Sequence, residues 1–250
     1  MATFLTDDFE SGSYARWTNS AQLARASANV ASDRAYAGTY ASKAYKWAGD
    51  DGYAQVRVDH ATGGGLGTYH HFGFRLWFNG DEDPAVNVAL GITASIVQIA
   101  ELRNTAGNIT FNMRFHNSAG TAYSKQFGVR MYGGAGVNYY DAAGIPRRTW
   151  HEVHVYTYLH NSAGHVQVWV NGNKRLEGNN IDTYVATATR AVIGIVAAPG
   201  SVDFGCFWID DFTWDNATSP FPPGTESVPL SRKILSPALY ADLCARGAPS

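Results

Sequence analysis

Residues 149–178 read TWHEVHVYTYLHNSAGHVQVWVNGNKRLEG, two apolar-alternating runs joined by the turn HNSAGH, with a second turn, NGN, after the second run. Alternation at period two puts Val153 and Val155 on one face of the first strand and Glu152, His154, Tyr156 and Tyr158 on the other. In the second strand Val166, Val168 and Val170 separate in the same way from Gln167 and Trp169. One face can bury while the other keeps aromatic and hydrogen-bonding groups, the chemistry of a sugar-binding sheet.

The same alternation recurs along the chain between Gly-, Asn- and Asp-rich breaks. Strands are expected at 41–47, 53–58, 71–78, 86–93, 96–103, 109–116, 121–128, 150–159, 165–170, 191–196 and 204–214. Many short strands with turn chemistry between them describe an all-β, two-sheet antiparallel jelly-roll sandwich. At 250 residues, with 16% charged residues and 26 glycines, the chain suits one such domain, residues 1–215, better than a helical fold. The glycine runs Gly63–Gly67 and Gly133–Gly136 are expected as exposed loops at the sheet rims. GGGLG lacks the Lys-Ser/Thr ending of a phosphate-binding loop. From Asn216 the composition changes: NATSPFPPGTESVP cannot continue a ladder, and Ser236-Pro237 then opens a short helix that closes at Gly247. Residues 216–250 are therefore read as a Pro-rich arm with a short terminal helix.

Nineteen basic against 21 acidic residues, with no basic run, argue against nucleic acid, and no apolar run is long enough to span a membrane. The opening MATFLTDDFESGS has neither the basic nor the apolar region of a secretory signal. Cys206 and Cys244 show no metal-ligand spacing and are read as reduced thiols. The sequon Asn216-Ala-Thr218 is read as incidental.

DDFESGSYARW at 7–17, AYAGTYASKAY at 35–45 and FWIDDFTWD at 207–215 resemble the opening and closing strands of concanavalin A-like, carbohydrate-binding jelly rolls. The run WHEVHVYTYLHNSAGHVQVWVNG looks like the hairpin of laminin-G-like domains and jelly-roll polysaccharide lyases. The resemblance covers about residues 4–215 and implies that the first and last strands lie side by side. It also implies a structural calcium on Glu10, the Lys43 carbonyl and Asp211, with Asp8 close by. No other cofactor is expected.

Parity extends the outward face to Arg75 and Trp77 in 71–78 and to Asn112, Arg114 and His116 in 109–116. If these strands share one sheet with the hairpin, Arg75, Trp77, Asn112, Arg114, His116, Glu152, His154, Tyr156, Tyr158, Gln167 and Trp169 line a saccharide groove. A lyase needs a cation for the uronate, a base and an acid. Arg114, His116 or His154, and Tyr156 or Tyr158 supply those types. The Arg-rich, Gln-Ile/Val-His and Tyr-Lys-x-Gly strands of alginate-lyase-like enzymes and the paired carboxylates of jelly-roll glucanases are not matched. With no leader in the sequence, the reading put first is a non-enzymatic virion surface protein, a phage capsid decoration or tail-associated protein, made in the host cytoplasm. Its arm would hold other virion proteins, its sheet would bind glycans, and a homo-oligomer is allowed. The alternative is a secreted polysaccharide lyase or glycoside hydrolase acting on an acidic polysaccharide.

Overall fold

In this computed structural model the described residues are 3–22, 26–46, 52–59, 68–78, 96–104, 106–117, 125–133, 136–141, 145–146, 148–184, 187–198 and 205–216. The segments 86–93 and 217–250, the Gly63–Gly67 run and Cys244 lie outside them, as does the side chain of Cys206.

The described elements are all strands: β1 (Thr3–Asp7), β2 (Asn19–Gln22), β3 (Ala26–Ala31), β4 (Ala41–Lys46), β5 (Gly52–Asp59), β6 (Thr68–Phe78), β7 (Ile96–Arg103), β8 (Ile109–Asn117), β9 (Lys125–Met131), β10 (Val137–Tyr140), β11 (His151–Leu159), β12 (Gly164–Val170), β13 (Asn173–Ile181), β14 (Arg190–Ala198) and β15 (Gly205–Asp215). They form two antiparallel sheets. Sheet A runs β13-β12-β11-β6-β15-β4-β3 with β1 also on β15, and sheet B runs β10-β9-β8-β7-β14-β5-β2. The two chain-end strands are neighbours, Thr6 opposite Thr213.

The inward faces meet in one core. Phe72, Phe74, Leu76, Val153, Val155 and Val168 of sheet A pack on Leu102, Phe111, Met113, Val129 and Ile193 of sheet B. Phe72 meets Phe111 across the sandwich at 5.3 Å and stacks on Trp214 at 5.9 Å. Parity therefore assigned the core correctly wherever alternation was unbroken.

Strand β15 breaks it. Phe207 and Ile209 are core residues, and so are Phe212 and Trp214, so the inward parity changes from odd to even. A register irregularity between Asp210 and Thr213 absorbs the extra residue, with Asp211 at φ 49°. This is a bulge, and Asp is among the few non-glycine residues that tolerate that backbone.

Alternation did not predict β2, β3, β10 and β13, and β1 was implied only by the resemblance. NKRLEGNNI of β13 is mostly polar and sits at a sheet edge, where only Leu176 and Gly178 bury. Gly133 corrects another expectation: it is buried, and a Cβ there would stand 2.4 Å from the Asp182 carbonyl oxygen, so the close approach of two chain segments requires glycine.

The NGN turn links β12 to β13 with Asn171 at φ 52° and Gly172 at φ 76°, the paired positive angles of a tight hairpin. Asn171 also accepts the Glu152 N–H at 2.9 Å and donates its own N–H to the Glu152 carbonyl at 2.9 Å. Replacing Asn171 with Ala removes the side-chain acceptor and strains the turn. Urea unfolding is expected to register a loss of about 1–3 kcal/mol.

Candidate functional site

Each sheet presents a polar outer face, and the expected site residues divide between them. On sheet A, β6 and β11 pair so that Glu152 lies opposite Arg75, His154 opposite Gly73 and Tyr156 opposite His71. Arg75 ion-pairs with Glu152 at 3.1 Å, and the other Glu152 oxygen meets His154 Nε2 at 2.9 Å. His154 Nδ1 meets His71 Nε2 at 2.9 Å, and His71 Nδ1 meets Asp215 at 3.2 Å. The Tyr156 ring stacks on His71 at 4.4 Å. All six side chains are buried. Burial holds His154 below the ordinary histidine range against the Glu152 hydrogen bond, and burial with the Asp215 and Glu152 charges keeps the Tyr156 phenol protonated.

Arg75, Trp77, His154 and Tyr156 thus share one face as parity required, but that face is covered and its polar groups bind one another. Trp77 packs edge-on against Trp208 at 4.9 Å beneath the Arg34 guanidinium, which lies 3.7 Å from its ring centre. The segment carrying Tyr36 and Ala37 is tied down by its N–H groups on Asp210, and Tyr36 lies against the Arg75 guanidinium at 4.4 Å. Burial pushes the Asp210 carboxyl up to about 6 despite those bonds. Tyr158, Gln167 and Trp169 are half-buried toward β12. There Tyr158 packs on Tyr69 and His165, and Gln167 bridges Trp169 and Glu177.

Asn112, Arg114 and His116 belong to the other sheet. Strand β8 pairs with β7 and β9, not with the β11–β12 hairpin, so the single groove expected from parity splits into two. Parity fixes a face of a strand and says nothing of which sheet the strand joins. Arg114 donates through Nε and Nη2 to the Asn112 carbonyl oxygen at 2.9 and 2.6 Å. The Asn112 amide nitrogen donates to Gln98 at 2.9 Å and to the Tyr132 hydroxyl oxygen at 2.7 Å. Glu101, opposite Asn112, ion-pairs with Arg103 at 3.3 Å, and Arg130 lies on the far side of Asn112 with its guanidinium 4.6 Å from the Tyr132 ring centre. Burial raises the Glu101 carboxyl against the pull of Arg103 and Arg114. Asn112, Arg114 and Glu101 form a buried floor, while Gln98, Arg103, Arg130 and Tyr132 form a half-buried rim. The side chain of His116 lies outside the described residues.

Arg103 and Arg114 both act on the Glu101 carboxylate, and Arg130 lies one strand farther out, opposite Asn112. Arg103 also lies opposite Arg190 of β14, which has Asp59 of β5 opposite it on its other side.

The expected calcium residues occupy the chain-end corner. Glu10 accepts the Thr39 and Tyr40 N–H groups at 2.8–3.0 Å. Lys43 lies within the ladder between Trp208 and Asn29, its ammonium on Asp33. Asp211 is buried with Oδ2 unpartnered, its carboxyl raised by burial with the Asp8 and Glu10 charges adding to the rise. The hollow beside it, about 350 Å³, is lined by Asp7, Asp8, Arg16 and Asp211 among others. Among the described residues no three His, Cys, Asp or Glu side chains converge as a ready metal cage. The unpartnered carboxylate oxygen fits a hard cation, which would draw its remaining oxygens from the backbone or water.

Sequence reasoning missed His71 and Asp215 on sheet A and Gln98, Glu101, Arg103, Arg130 and Tyr132 on sheet B. Parity along β6 placed His71 outward with Arg75. Tyr132 was hidden by the glycine run that follows it.

No protein-family model and no curated protein matches the chain. Solved structures do. An endo-β-1,4-glucuronan lyase from the fungus Trichoderma reesei matches at 18% identity and TM-score 0.65, over 86% of this chain and 96% of that one. A carbohydrate esterase from the Shiga toxin-encoding bacteriophage phi24B matches at 16% identity and TM-score 0.58, over 87% and 99%. An alginate lyase matches at 14% identity and TM-score 0.55, over 85% and 96%. At such identities the likeness is one of fold, that of a two-sheet antiparallel jelly-roll sandwich.

Proposed function

We propose that the protein is a polysaccharide lyase whose site is the outer face of sheet B and whose substrate is a uronic-acid polymer. The observation that carries this reading is Arg114, a buried guanidinium whose hydrogen bonds run to the neutral carbonyl of Asn112 while the Glu101 carboxylate that acts on it is shared with Arg103. A buried guanidinium oriented by a neutral acceptor suits a carboxylate ligand. Arg103, Arg130 and Arg190 on three further strands extend the positive surface across the sheet, as a polymer with repeated carboxylates requires. The glucuronan lyase and alginate lyase that share the fold lend support to this substrate class over a neutral sugar.

The chemistry is β-elimination. Arg114 and the Gln98 amide hold the uronate carboxylate and stabilise the negative charge that develops on it as the C5 proton leaves. The electron pair of that C–H bond forms the C4–C5 double bond as the C4–O bond breaks, and the leaving oxygen takes a proton. Tyr132 suits that last step because its oxygen already accepts from Asn112, so its own O–H points to a new acceptor. His116, two residues beyond Arg114 on the same strand, is the base the sequence offers. The sheet A residues His154 and Tyr156 are assigned no catalytic part, since both are buried.

Polyglucuronate and polymannuronate are the probes, and the absorbance of the unsaturated product is the readout. Arg114→Ala and Tyr132→Phe are each expected to lower kcat/KM by about 10²–10³-fold with unchanged far-UV circular dichroism. Tight polymer binding without any product would overturn the lyase and favour the non-enzymatic reading, a virion protein using this face for glycans and residues 216–250 for attachment. Calcium on Asp211 and Glu10 is a stabilising proposal of its own, resting on the unpartnered Asp211 oxygen. Excess chelator is expected to lower the Tm of the native protein and to leave that of Asp211→Asn unmoved; equal behaviour of the two would remove the ion.

A further inference from the structure

The loop between β3 and β4 lays two side chains over the outer face of sheet A, and one of them is a guanidinium without a carboxylate. Arg34 rests over Trp77 of β6, 3.7 Å from its ring centre, and lies 5.3 Å from that of Trp208 of β15. Both indoles are buried, so the guanidinium has a fixed base beneath it. Its Nε is buried without a hydrogen bond, and its η nitrogens, which no protein group accepts from, reach solvent. The acids nearby are engaged elsewhere. Asp33 accepts from Trp208 Nε1 at 3.0 Å and pairs with Lys43, whose ammonium lies 5.0 Å from the Trp208 ring centre. Asp210 accepts the Tyr36 and Ala37 N–H groups, and Glu152 pairs with Arg75. Among the described residues no carboxylate stands within ion-pair distance of Arg34.

The second side chain is Tyr36, which is 45% exposed. The Arg75 guanidinium lies 4.4 Å from its ring centre, and Trp150 meets it edge-on at 5.8 Å. Trp150 is itself half-buried and packs on the Trp77–Trp208 cluster. Arg34 stands over residue 77 and Tyr36 over residue 75, a separation of about 7 Å along an extended strand. The bonds of the Tyr36 and Ala37 N–H groups to Asp210 tie this loop to β15, so the spacing is set before any ligand arrives.

We propose that Arg34, Tyr36 and Trp150 form a second saccharide site, on the outer face of sheet A, for a sugar that carries a carboxylate. A guanidinium held over an indole keeps its fork of N–H donors for an anion, and a carboxylate matches that fork in plane and spacing. The open part of the Tyr36 ring, with Trp150 beside it, offers the apolar surface that the C–H face of a pyranose meets. A simple anion uses the first feature and leaves the rings idle. A neutral sugar uses the rings and leaves the charge idle. An acidic sugar uses both, at the separation the loop fixes. This site lies on the sheet opposite to Arg114 and does not depend on the lyase reading.

The test is an NMR titration of the full chain with glucuronate, following the Arg34 Nε–H and the indole N–H groups of Trp77, Trp150 and Trp208. Glucuronate is expected to move these signals saturably, and glucose at the same concentration to leave them in place. Arg34→Gln is expected to weaken binding about tenfold or more, and Tyr36→Ala about three- to tenfold. Arg34→Lys keeps the charge without the fork and is expected to recover little of the affinity, and it decides with Tyr36→Ala should Arg34→Gln fail to fold. Arg114→Ala is expected to bind at these signals as the native protein does, which separates this site from the fate of the sheet B reading. A native protein whose signals do not move overturns the proposal. So does equal affinity for acetate or inorganic phosphate, which would leave a bare anion site. Tighter binding of triglutamate than of a glucuronate trisaccharide, both measured in Arg114→Ala, would reassign the site to acidic peptides and overturn it as well.

Discussion

The inserted residue in β15 is the constraint on which both the core and the covered face depend. The strand lies at the middle of sheet A, hydrogen-bonded to β1, β4 and β6, and must bury Phe207 and Ile209 at one end and Phe212 and Trp214 at the other. Strict alternation over FWIDDFTWD would send the second pair outward. The bulge at Asp210 and Asp211 restores them to the core, and the same shift turns Asp215 outward to meet His71. One backbone irregularity thus sets the packing of Trp214 against Phe72 and supplies the carboxylate that ends the histidine row. Its local cost is visible at Asp211, held at φ 49° with one carboxylate oxygen unpartnered.

The two outer faces then solve the same burial problem differently. On the covered part of sheet A, Arg75 has Glu152, Asp215 has His71, and Asp210 has two backbone N–H groups. Aromatic rings fill the remaining space, Tyr156 on His71 and Trp77 against Trp208. Such a surface fastens strands to one another. On sheet B the partners of Asn112 and Arg114 are neutral amides and a phenol, while buried Glu101 Oε2 and Arg130 Nε are left without a hydrogen bond. Unsatisfied buried polar atoms of this kind give that face capacity for a polar ligand.

Much of this was legible in residues 149–178 and their like. Period-two alternation placed Val153, Val155 and Val168 in the core and Glu152, His154 and Tyr156 on the opposite face, and the NGN turn has the backbone its residues favour. Two kinds of information were not. Strand order is one, since nothing in FNMRFH states that β8 joins β7 and β9 while HEVHVY joins β6, and so Arg114 and His154 were read into a single groove. Cover is the other. Outward orientation says only that a side chain leaves the core, and Trp77 leaves it to be buried again against Trp208 and Ala41. Polar strands such as NKRLEGNNI escape a hydrophobic period altogether because an edge strand with one shallow face buries too few residues to print one.

The choice of asparagine at 112 sharpens the contrast between the faces. Arg75 and Arg114 are both buried arginines on central strands, and each is held by an acceptor near its own row of the ladder. Glu152 cancels the charge of the first. Asn112 fixes the geometry of the second through two hydrogen bonds without cancelling anything, and its amide nitrogen passes the restraint on to Gln98 and Tyr132. A carboxylate at 112 would have given a more comfortable buried pair, by the same reasoning that makes a lone buried ion costly. Glu101 still acts on the Arg114 guanidinium from the neighbouring strand, but it is shared with Arg103 rather than held in a dedicated pair. That is the feature the proposed uronate site would use: a buried cation already oriented by Asn112, whose carboxylate neighbour serves two arginines.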